Sequence, residues 1–274
     1  MFLNMRQLLS ILFLFVLLSS CNEYQKVLKN DDVKTKYEMA EKLYNDGDYK
    51  KASRLFEQIA PKYVGKPQGE RVMFFYADSY FKKNDFYLSG YQFERFVKSY
   101  PKSDKAQEAT FLGAKSYYEL SPKYSLDQTD TDKALIKLQN FINAYPDSEY
   151  IVEANAMAKE LTSKKEEKAF EIGKQFAKLG EFYTLDYNVS AIASLNNFIS
   201  DYPGSIFKED ALFEIVRAST NLALNSTENR KQERLQEAQD AYSNLKKYFP
   251  ETKYQKKTDA FLGKIEKQLQ NYSK

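Results

Sequence analysis

The segment Leu138–Ser148, LQNFINAYPDS, decides the fold of this chain because its pattern occurs four more times. Apolar residues three positions apart are followed by an aromatic residue, a proline and, two positions later, a hydroxyl residue. The same pattern occurs in Phe93–Ser103, Leu195–Ser205 and Tyr242–Thr252, and in a looser form, with a displaced proline, in Phe56–Tyr63. Intervals of 37, 45, 57 and 47 residues separate the copies. Self-similarity on this scale is typical of an array of helical repeats.

Each position in the repeated segment has a physical role. Residues three apart, such as Leu138 and Phe141, lie on one face of a helix. A proline cannot occupy a helix interior, so the helix ends just before it. The hydroxyl residues that follow are Ser103, Ser148, Ser205 and Thr252. Because hydroxyl side chains accept hydrogen bonds from free backbone N–H groups, we expect them to cap the next helix.

The first copy, with the residues before it, predicts two helices joined by a short turn. Tyr37, Ala40 and Tyr44 share one helix face, Asn45–Asp48 predicts a turn, and Ala52 lies on the apolar face of the second helix. This alternation of small and large residues resembles the tetratricopeptide repeat. We therefore expect an all-α fold of about five tandem tetratricopeptide-like helical hairpins that form a superhelical array.

Some connections in the array are expected to be irregular. The turn over Ser121–Asp132 is expanded, Ser148–Gly180 is helical almost throughout, and Glu181–Asn188 predicts an enlarged connection. A polar loop is expected at Asn225–Arg230. Tyr254–Leu269 predicts a final helix that caps the open end of the array.

The N-terminus has the character of a targeting segment. Arg6 precedes the apolar run Leu8–Leu18, which is too short to span a bilayer comfortably. The run leads into the text LSSC, which resembles the bacterial lipobox and implies cleavage before Cys21 and acylation of that residue. An ordinary secretory signal, or a core strand near an unrelated thiol, is the alternative. We favour the lipoprotein because Cys21 is the only cysteine in the chain. Asn22, rather than Asp, is compatible with sorting to the outer membrane.

Four segments follow from these signals. Residues 1–20 are predicted to be a lipoprotein signal peptide, and residues 21–32 a lipid-anchored tether, which would reach roughly 35–40 Å when extended. Residues 33–146 are predicted to hold N-terminal repeats 1–3. Residues 147–274 are predicted to hold C-terminal repeats 4–5 and the capping helix.

Composition argues against an enzyme. The absence of histidine removes the commonest general base and metal ligand, and a single cysteine excludes a thiolate metal cluster. No nucleotide-binding or nucleophile motif is present. We therefore expect no catalytic residues, no metal and no cofactor. A net charge of +3 gives no electrostatic footprint for nucleic acid.

A peptide-binding groove is the remaining candidate site. In tetratricopeptide repeats the residue after the first aromatic of each first helix faces the concave side, as do positions four and seven to eight further on. Apolar residues at two such leading positions suit a peptide with apolar or aromatic side chains, and a lysine pair could attract a carboxylate. Alternatively, the apolar residues pack against neighbouring repeats. The predicted groove residues are Phe75, Ser79, Lys82, Lys83, Leu112 and Ser116.

The whole chain is similar to the BamD family, the lipoproteins of the outer-membrane β-barrel assembly machinery. The resemblance rests on the lipobox, the tether, and about five repeats with recurring YP-x-S text. It implies an anchor in the outer membrane through the lipid on Cys21, facing the periplasm. It also implies docking to the periplasmic domains of the barrel-forming assembly protein, chiefly through the C-terminal repeats. The N-terminal repeats would meet the aromatic C-terminal signal of unfolded outer-membrane protein substrates.

Two other functions stay open from the sequence. The protein could be a repeat-type envelope lipoprotein that scaffolds peptidoglycan synthesis or a cell-constriction complex. It could also be a glycan-capture lipoprotein, although chains of that class usually carry a large insertion that this chain lacks.

Overall fold

The structure is a computed structural model that describes residues 23–272, and their regular secondary structure is helical throughout. The predicted all-α fold is confirmed. A 3₁₀ turn, Gln270–Tyr272, follows the last α-helix. The helices are α1 (residues 23–29), α2 (Val33–Asn45), α3 (Tyr49–Tyr63), α4 (Gly69–Lys82), α5 (Phe86–Ser99), α6 (Ala106–Glu119), α7 (Thr129–Ala144), α8 (Ile151–Phe182), α9 (Asp186–Asp201), α10 (Lys208–Leu224), α11 (Glu228–Tyr248) and α12 (Gln255–Leu269).

Consecutive helices pack against each other as expected for tetratricopeptide-like hairpins. The pairs are α2 with α3, α4 with α5, α6 with α7 and α10 with α11. Phe170 of α8 shares a core cluster with Leu195 and Phe198 of α9, which makes these two helices the fourth pair. The core of each hairpin contains the apolar residues of the repeated segment. Phe93, Phe96, Phe141, Phe198 and Leu245 are each 2% exposed or less.

The described residues form two compact units. The first runs up to Pro122 and includes Thr129–Ala158, whereas the second contains Lys123–Gln128 and the residues from Lys159 onward. The sequence placed the division between residues 146 and 147. The division lies later in the chain because the single helix α8 contributes residues to both units.

The prolines of the repeated segments end helices as predicted. Helices α5, α7, α9 and α11 each stop two residues before a proline. The residue between helix and proline has left the helical conformation, as in Tyr100 with φ −132° and ψ 61° and Tyr202 with φ −129° and ψ 64°. A following proline disfavours the helical conformation at the residue before it, which is consistent with the end of the helix here.

The hydroxyl side chains accept backbone hydrogen bonds in the short turn before the next helix, and not at the first residues of that helix. Thr252 Oγ1 accepts a hydrogen bond from the backbone N–H of Tyr254 at 3.2 Å, but α12 begins only at Gln255. A short turn, closed by a bond from Gln255 N to Thr252 O at 3.1 Å, separates the hydroxyl from the helix. The same N–H bond from two residues ahead is made at Ser103, Ser148 and Ser205. The prediction that these side chains cap the next helix directly is therefore wrong.

Of two connections that the sequence marks as enlarged, the structure contains one and lacks the other. The expanded turn before α7 is present, between Glu119 and Thr129. The enlarged connection predicted over Glu181–Asn188 is wrong, because α8 extends to Phe182 and α9 begins at Asp186. The extra residues of this repeat lie in the 32-residue helix α8.

Most of the predicted tether is structured. Residues 23–29 form α1, and two of its side chains, Tyr24 and Val27, are 5% and 7% exposed. They belong to a core cluster with Ala40 of α2 and with Leu55 and Phe56 of α3. The prediction of a tether over residues 21–32 is thus corrected for residues 23–29, because their apolar face is buried against the first hairpin. Residues 1–20 and Cys21 lie outside the described residues.

Candidate functional site

Phe75, the first apolar residue of the predicted groove, lies half-buried on α4. Its ring stacks on Tyr44 of α2 with centroids 4.3 Å apart, and it meets Phe56 of α3 edge-on at 6.3 Å. The Arg71 guanidinium lies 5.2 Å from the ring centroid. Phe75 therefore packs between the first two hairpins and has only part of its ring accessible.

Leu112 has the same mixed character on α6. It is half-buried and packs against the cluster that contains Phe74 and Phe93. Both apolar residues therefore pack against a neighbouring repeat, which was the alternative to a groove. Each also keeps some exposed surface.

The two serines do not line an open surface. Ser79 and Ser116 have no exposed area, and each donates a hydrogen bond to the carbonyl oxygen four residues earlier, at 2.6 Å and 2.7 Å. Ser116 Oγ also lies 3.0 Å from Ser89 Oγ. Ser116 therefore packs where α6 meets α5, and neither serine offers surface to a bound peptide.

The lysine pair splits into two environments. Lys82 is exposed at the end of α4. Lys83 is half-buried, with its Nζ 4.1 Å above the ring of Tyr80 and 3.5 Å from Asp85. Only Lys82 has the exposure that recruitment of an incoming carboxylate needs.

Asp78 is a buried carboxylate beside this surface that the sequence reasoning missed. It is 4% exposed, and the Tyr44 hydroxyl donates to its Oδ2 at 2.5 Å. Burial raises the pKa of Asp78 above its ordinary value, while the bond from Tyr44 and the charge of Lys82 act to lower it. The sequence feature that could have identified Asp78 is its position between Ala77 and Ser79, on the core face of α4.

A polar cavity lies next to these residues, between α2 and α4. It has a volume of about 500 Å³, and its lining includes Glu38, Lys42 and Asp46 of the first repeat. In the first repeat these residues follow the first aromatic residue, Tyr37, at the spacing that faces the concave side in tetratricopeptide repeats. Arg71 crosses to Glu41 at the same cavity and forms an ion pair with it.

The second unit contains a larger groove that the sequence reasoning did not identify. Its volume is about 1150 Å³, and it is lined by α8, α10 and the loop before α7. Ile172, Phe182 and Tyr183 line it and are 43%, 68% and 75% exposed. The Lys168 ammonium donates to the carbonyl oxygen of Leu126 at 2.5 Å, which ties the loop to α8.

Charged side chains line one side of this second groove. Arg217 of α10 bonds to Glu214 at 2.8 Å and to Glu181 at 3.0 Å. Burial raises the pKa of Glu214, and the Arg217 charge opposes this shift. Lys178 of α8 also lines the groove and is exposed.

A double apolar pattern on α8 could have revealed the second groove. One stripe, with Phe170, Gly173 and Ala177, packs inward. A second stripe, with Ile172 and Leu179, lines the groove. A helix with one partner needs a single apolar stripe, so a second stripe indicates a further contact surface.

Two of these surfaces, the one around Phe75 and Leu112 and the second groove, have half-buried or exposed apolar side chains beside lysine or arginine. Such surfaces suit the binding of other chains. A family model described as YfiO, outer membrane lipoprotein, matches residues 29–185, more than half of the chain. The chain belongs to the YfiO family of outer membrane lipoproteins. No individually characterised protein was found to match it significantly.

The YfiO match begins at the end of α1 and extends past the end of α8. It therefore includes the N-terminal groove residues and the α8 side of the second groove. YfiO lipoproteins are non-catalytic helical scaffolds. Among residues 23–272, no helix is both long and apolar enough to cross a bilayer, and no cluster of acidic side chains is arranged to hold a metal ion.

Proposed function

We propose that this protein is the BamD-type lipoprotein of the β-barrel assembly machinery and takes part in folding and inserting outer-membrane proteins. The observation that carries the proposal is the YfiO family match over α2–α8. The protein acts without catalysis, by holding other chains. Its surfaces have the mixture of apolar and cationic side chains that binding requires.

The anchor in this proposal is the lipid on Cys21. The signal peptide is cleaved before this residue, and several acyl chains hold the mature protein stably in the outer membrane, facing the periplasm. Support comes from the lipobox text and from the family, whose members are outer membrane lipoproteins.

The substrate surface in this proposal is the partly exposed face of Phe75 and Leu112 with Lys82 and Lys83. An unfolded outer-membrane protein ends in an aromatic residue and a free carboxylate. The ring would pack on the exposed parts of Phe75 and Leu112, and the carboxylate would meet the exposed ammonium of Lys82. The buried serines are left out of this surface.

Docking to the barrel-forming assembly protein is assigned to the second unit. Its groove exposes large apolar side chains, including Phe182 and Tyr183. Exposed apolar residues next to charged ones are typical of protein–protein contact surfaces. The partner would contribute its periplasmic domains.

The test is affinity capture from gently solubilised envelopes through a C-terminal tag. We expect a large outer-membrane barrel protein with periplasmic domains to co-purify. Charge reversal at Arg217, Arg217→Glu, should reduce that capture. Lys133→Glu on α7, remote from the second groove in sequence and exposed, is the matched control and should leave capture unchanged.

Capture of peptidoglycan enzymes or division proteins, without any barrel protein, would contradict the proposal. It would favour the alternative of a scaffold for peptidoglycan synthesis or cell constriction. If Arg217→Glu captures the barrel protein at the wild-type level, the assignment of the docking surface to this groove is wrong.

A further inference from the structure

The length of chain between Cys21 and the folded body is short. Residues 23–29 are helical, and Tyr24 and Val27 are buried in the first hairpin. Only Asn22 separates Cys21 from the first described residue of α1. Because consecutive Cα atoms are about 3.8 Å apart, the Cα atoms of residues 21 and 23 are at most about 7.6 Å apart.

The connection from α1 to the rest of the unit is also closed by hydrogen bonds. The Asn30 N–H donates to Lys26 O at 3.0 Å, and the Asp32 N–H donates to Asn30 Oδ1 at 3.0 Å. The Asp32 carboxylate accepts from Thr35 N at 3.0 Å and thereby caps α2. The turn after α1 is therefore held to α2 and provides no slack.

The outward face of α1 is polar. Tyr24, Val27 and the half-buried Leu28 point to the core, whereas Lys26 and Lys29, three residues apart, are exposed on the opposite side. This face has ammonium groups for phosphate and no large apolar side chain for the hydrocarbon.

We propose that α1 rests in the lipid headgroup layer, with Lys26 and Lys29 towards the phosphates, so that the first unit sits directly on the membrane surface. This inference rests on the proposed acylation of Cys21. The headgroup layer is roughly 5–8 Å thick on each side of a bilayer, which is comparable with the span left between residues 21 and 23. A chain with residues 21–32 extended could instead hold its body roughly 35–40 Å away.

The test uses the single cysteine of the chain. Acylation consumes the Cys21 thiol, so one introduced cysteine is a unique labelling site in the mature lipoprotein. Lys29→Cys on α1 and Lys133→Cys on α7 are labelled with a fluorophore and reconstituted into vesicles of phosphatidylethanolamine and phosphatidylglycerol. One set of vesicles carries a quencher on the lipid headgroup and the other a quencher deep in the acyl chain.

We expect the headgroup quencher to reduce emission from position 29 several-fold more than from position 133. The deep quencher should affect neither strongly, because the face of α1 is polar. Inserting 12 Gly and Ser residues between Asn22 and Glu23 should bring position 29 to the level of position 133. A flexible linker of that length separates its ends by about 20 Å on average.

Equal headgroup quenching at both positions in acylated, vesicle-bound protein would overturn this inference and leave the proposed anchor intact. Strong quenching of position 29 by the deep quencher would also overturn it, because α1 would then be inserted in the hydrocarbon. If mass spectrometry shows no acyl chain on Cys21 and the protein does not float with vesicles, both the anchor and this inference are wrong.

Discussion

Gly173 lies on α8 where that helix meets α9. A Cβ at this position would lie 2.6 Å from the side chain of Leu195, which has no exposed area. We expect Gly173→Ala to lower the free energy of unfolding by about 1–3 kcal/mol, because overpacking a closed core forces its neighbours to move. Urea denaturation followed by circular dichroism measures the change.

Gly263 on α12 provides the matched control. No atom outside its own helix backbone lies within 4 Å of a Cβ built there. Gly263→Ala should therefore be neutral or stabilising by up to about 1 kcal/mol, since alanine favours the helix more than glycine does. An equal loss of stability in both variants would show that steric contact with Leu195 is not the cause.

Lys82 is the residue through which the proposed substrate contact is best tested. It is exposed, whereas truncating Phe75 would also remove its stack on Tyr44. We expect Lys82→Gln to weaken binding of a peptide with an aromatic C-terminus by up to about 1 kcal/mol, which is typical of an exposed ion pair. Fluorescence anisotropy with the free-acid peptide measures it.

The C-terminal amide of the same peptide supplies the internal control for Lys82. If a charge contact is responsible, the amide should bind wild type and Lys82→Gln equally. Lys98→Gln on α5, also exposed, should leave binding of the free acid unchanged. A weaker affinity of Lys82→Gln for both peptides would show that the carboxylate is not what this lysine recognises.

Asp78 gives the stability a specific pH dependence. Burial raises the pKa of its carboxyl above the ordinary 3.8, so the folded state binds the proton more readily than the unfolded state. As pH rises from the unfolded-state pKa to the folded-state pKa, the free energy of unfolding therefore falls. Above the folded-state pKa the full destabilisation from burying the ionised carboxylate is present. Asp78→Asn keeps an oxygen acceptor for Tyr44 and removes this dependence.

We expect the stability of Asp78→Asn relative to the wild type to be greatest near neutral pH. This relative stability should decrease as pH falls towards about 4, because the wild-type carboxyl then becomes protonated. Thermal unfolding across that range measures it. Glu214, whose pKa burial also raises, is present in both proteins and cancels in the comparison. A difference that does not vary with pH would contradict the assignment to Asp78.

At the scale of elements, the repeated hydroxyl residues join successive hairpins. Besides accepting the N–H two residues ahead, each bonds to a side chain on an earlier first helix. Ser205 donates to Glu166 at 2.7 Å, and Thr252 donates to Glu209 at 2.6 Å. Ser103 donates to Glu70 at 2.5 Å, and Gln107 donates to Ser148. The sequence placed these residues at the correct junctions, but it could not show the distant partner, which lies 33 to 43 residues away.

The hydrogen bond between each hydroxyl residue and an earlier first helix also explains the length of α8. Glu70, Gln107 and Glu209 are each the second residue of their helix, whereas Glu166 lies in the middle of α8. The first helix of the fourth repeat therefore corresponds to the part of α8 from about residue 165, and the residues before it are an added segment. This addition accounts for the longest interval between repeats, which is 57 residues.

Ser205→Ala tests the junction. The variant loses the donor to Glu166 and the acceptor for Phe207 N, so we expect a loss of about 1–2 kcal/mol in the free energy of unfolding. Ser205→Thr keeps the hydroxyl, and Thr252 shows that a junction of this kind accommodates threonine. Denaturation of the two variants should separate them. A similar loss in both would mean that packing, rather than the hydroxyl, supports the junction.

At the scale of the whole molecule, sequence periodicity predicted the helical class, the hairpins and their proline ends. It failed where distant contacts decide the structure. The apolar face of α1 is only one helical turn long, so Tyr24 and Val27 gave too short a pattern to recognise. The serines at positions 79 and 116 matched the groove spacing, yet packing between helices buries them.

In the proposed attachment to the membrane, the single residue Cys21 determines where the whole protein is located. No described helix can span the bilayer, and α1 ties the body to within two residues of Cys21. We expect Cys21→Ser to prevent acylation and to move the protein from the membrane fraction to the soluble periplasmic fraction, since no other anchor is proposed. Ser20→Ala keeps a small residue before the cysteine and should stay in the membrane fraction. Fractionation with mass spectrometry of the N-terminal peptide measures both, and an acylated, membrane-bound Cys21→Ser variant would refute the lipobox assignment.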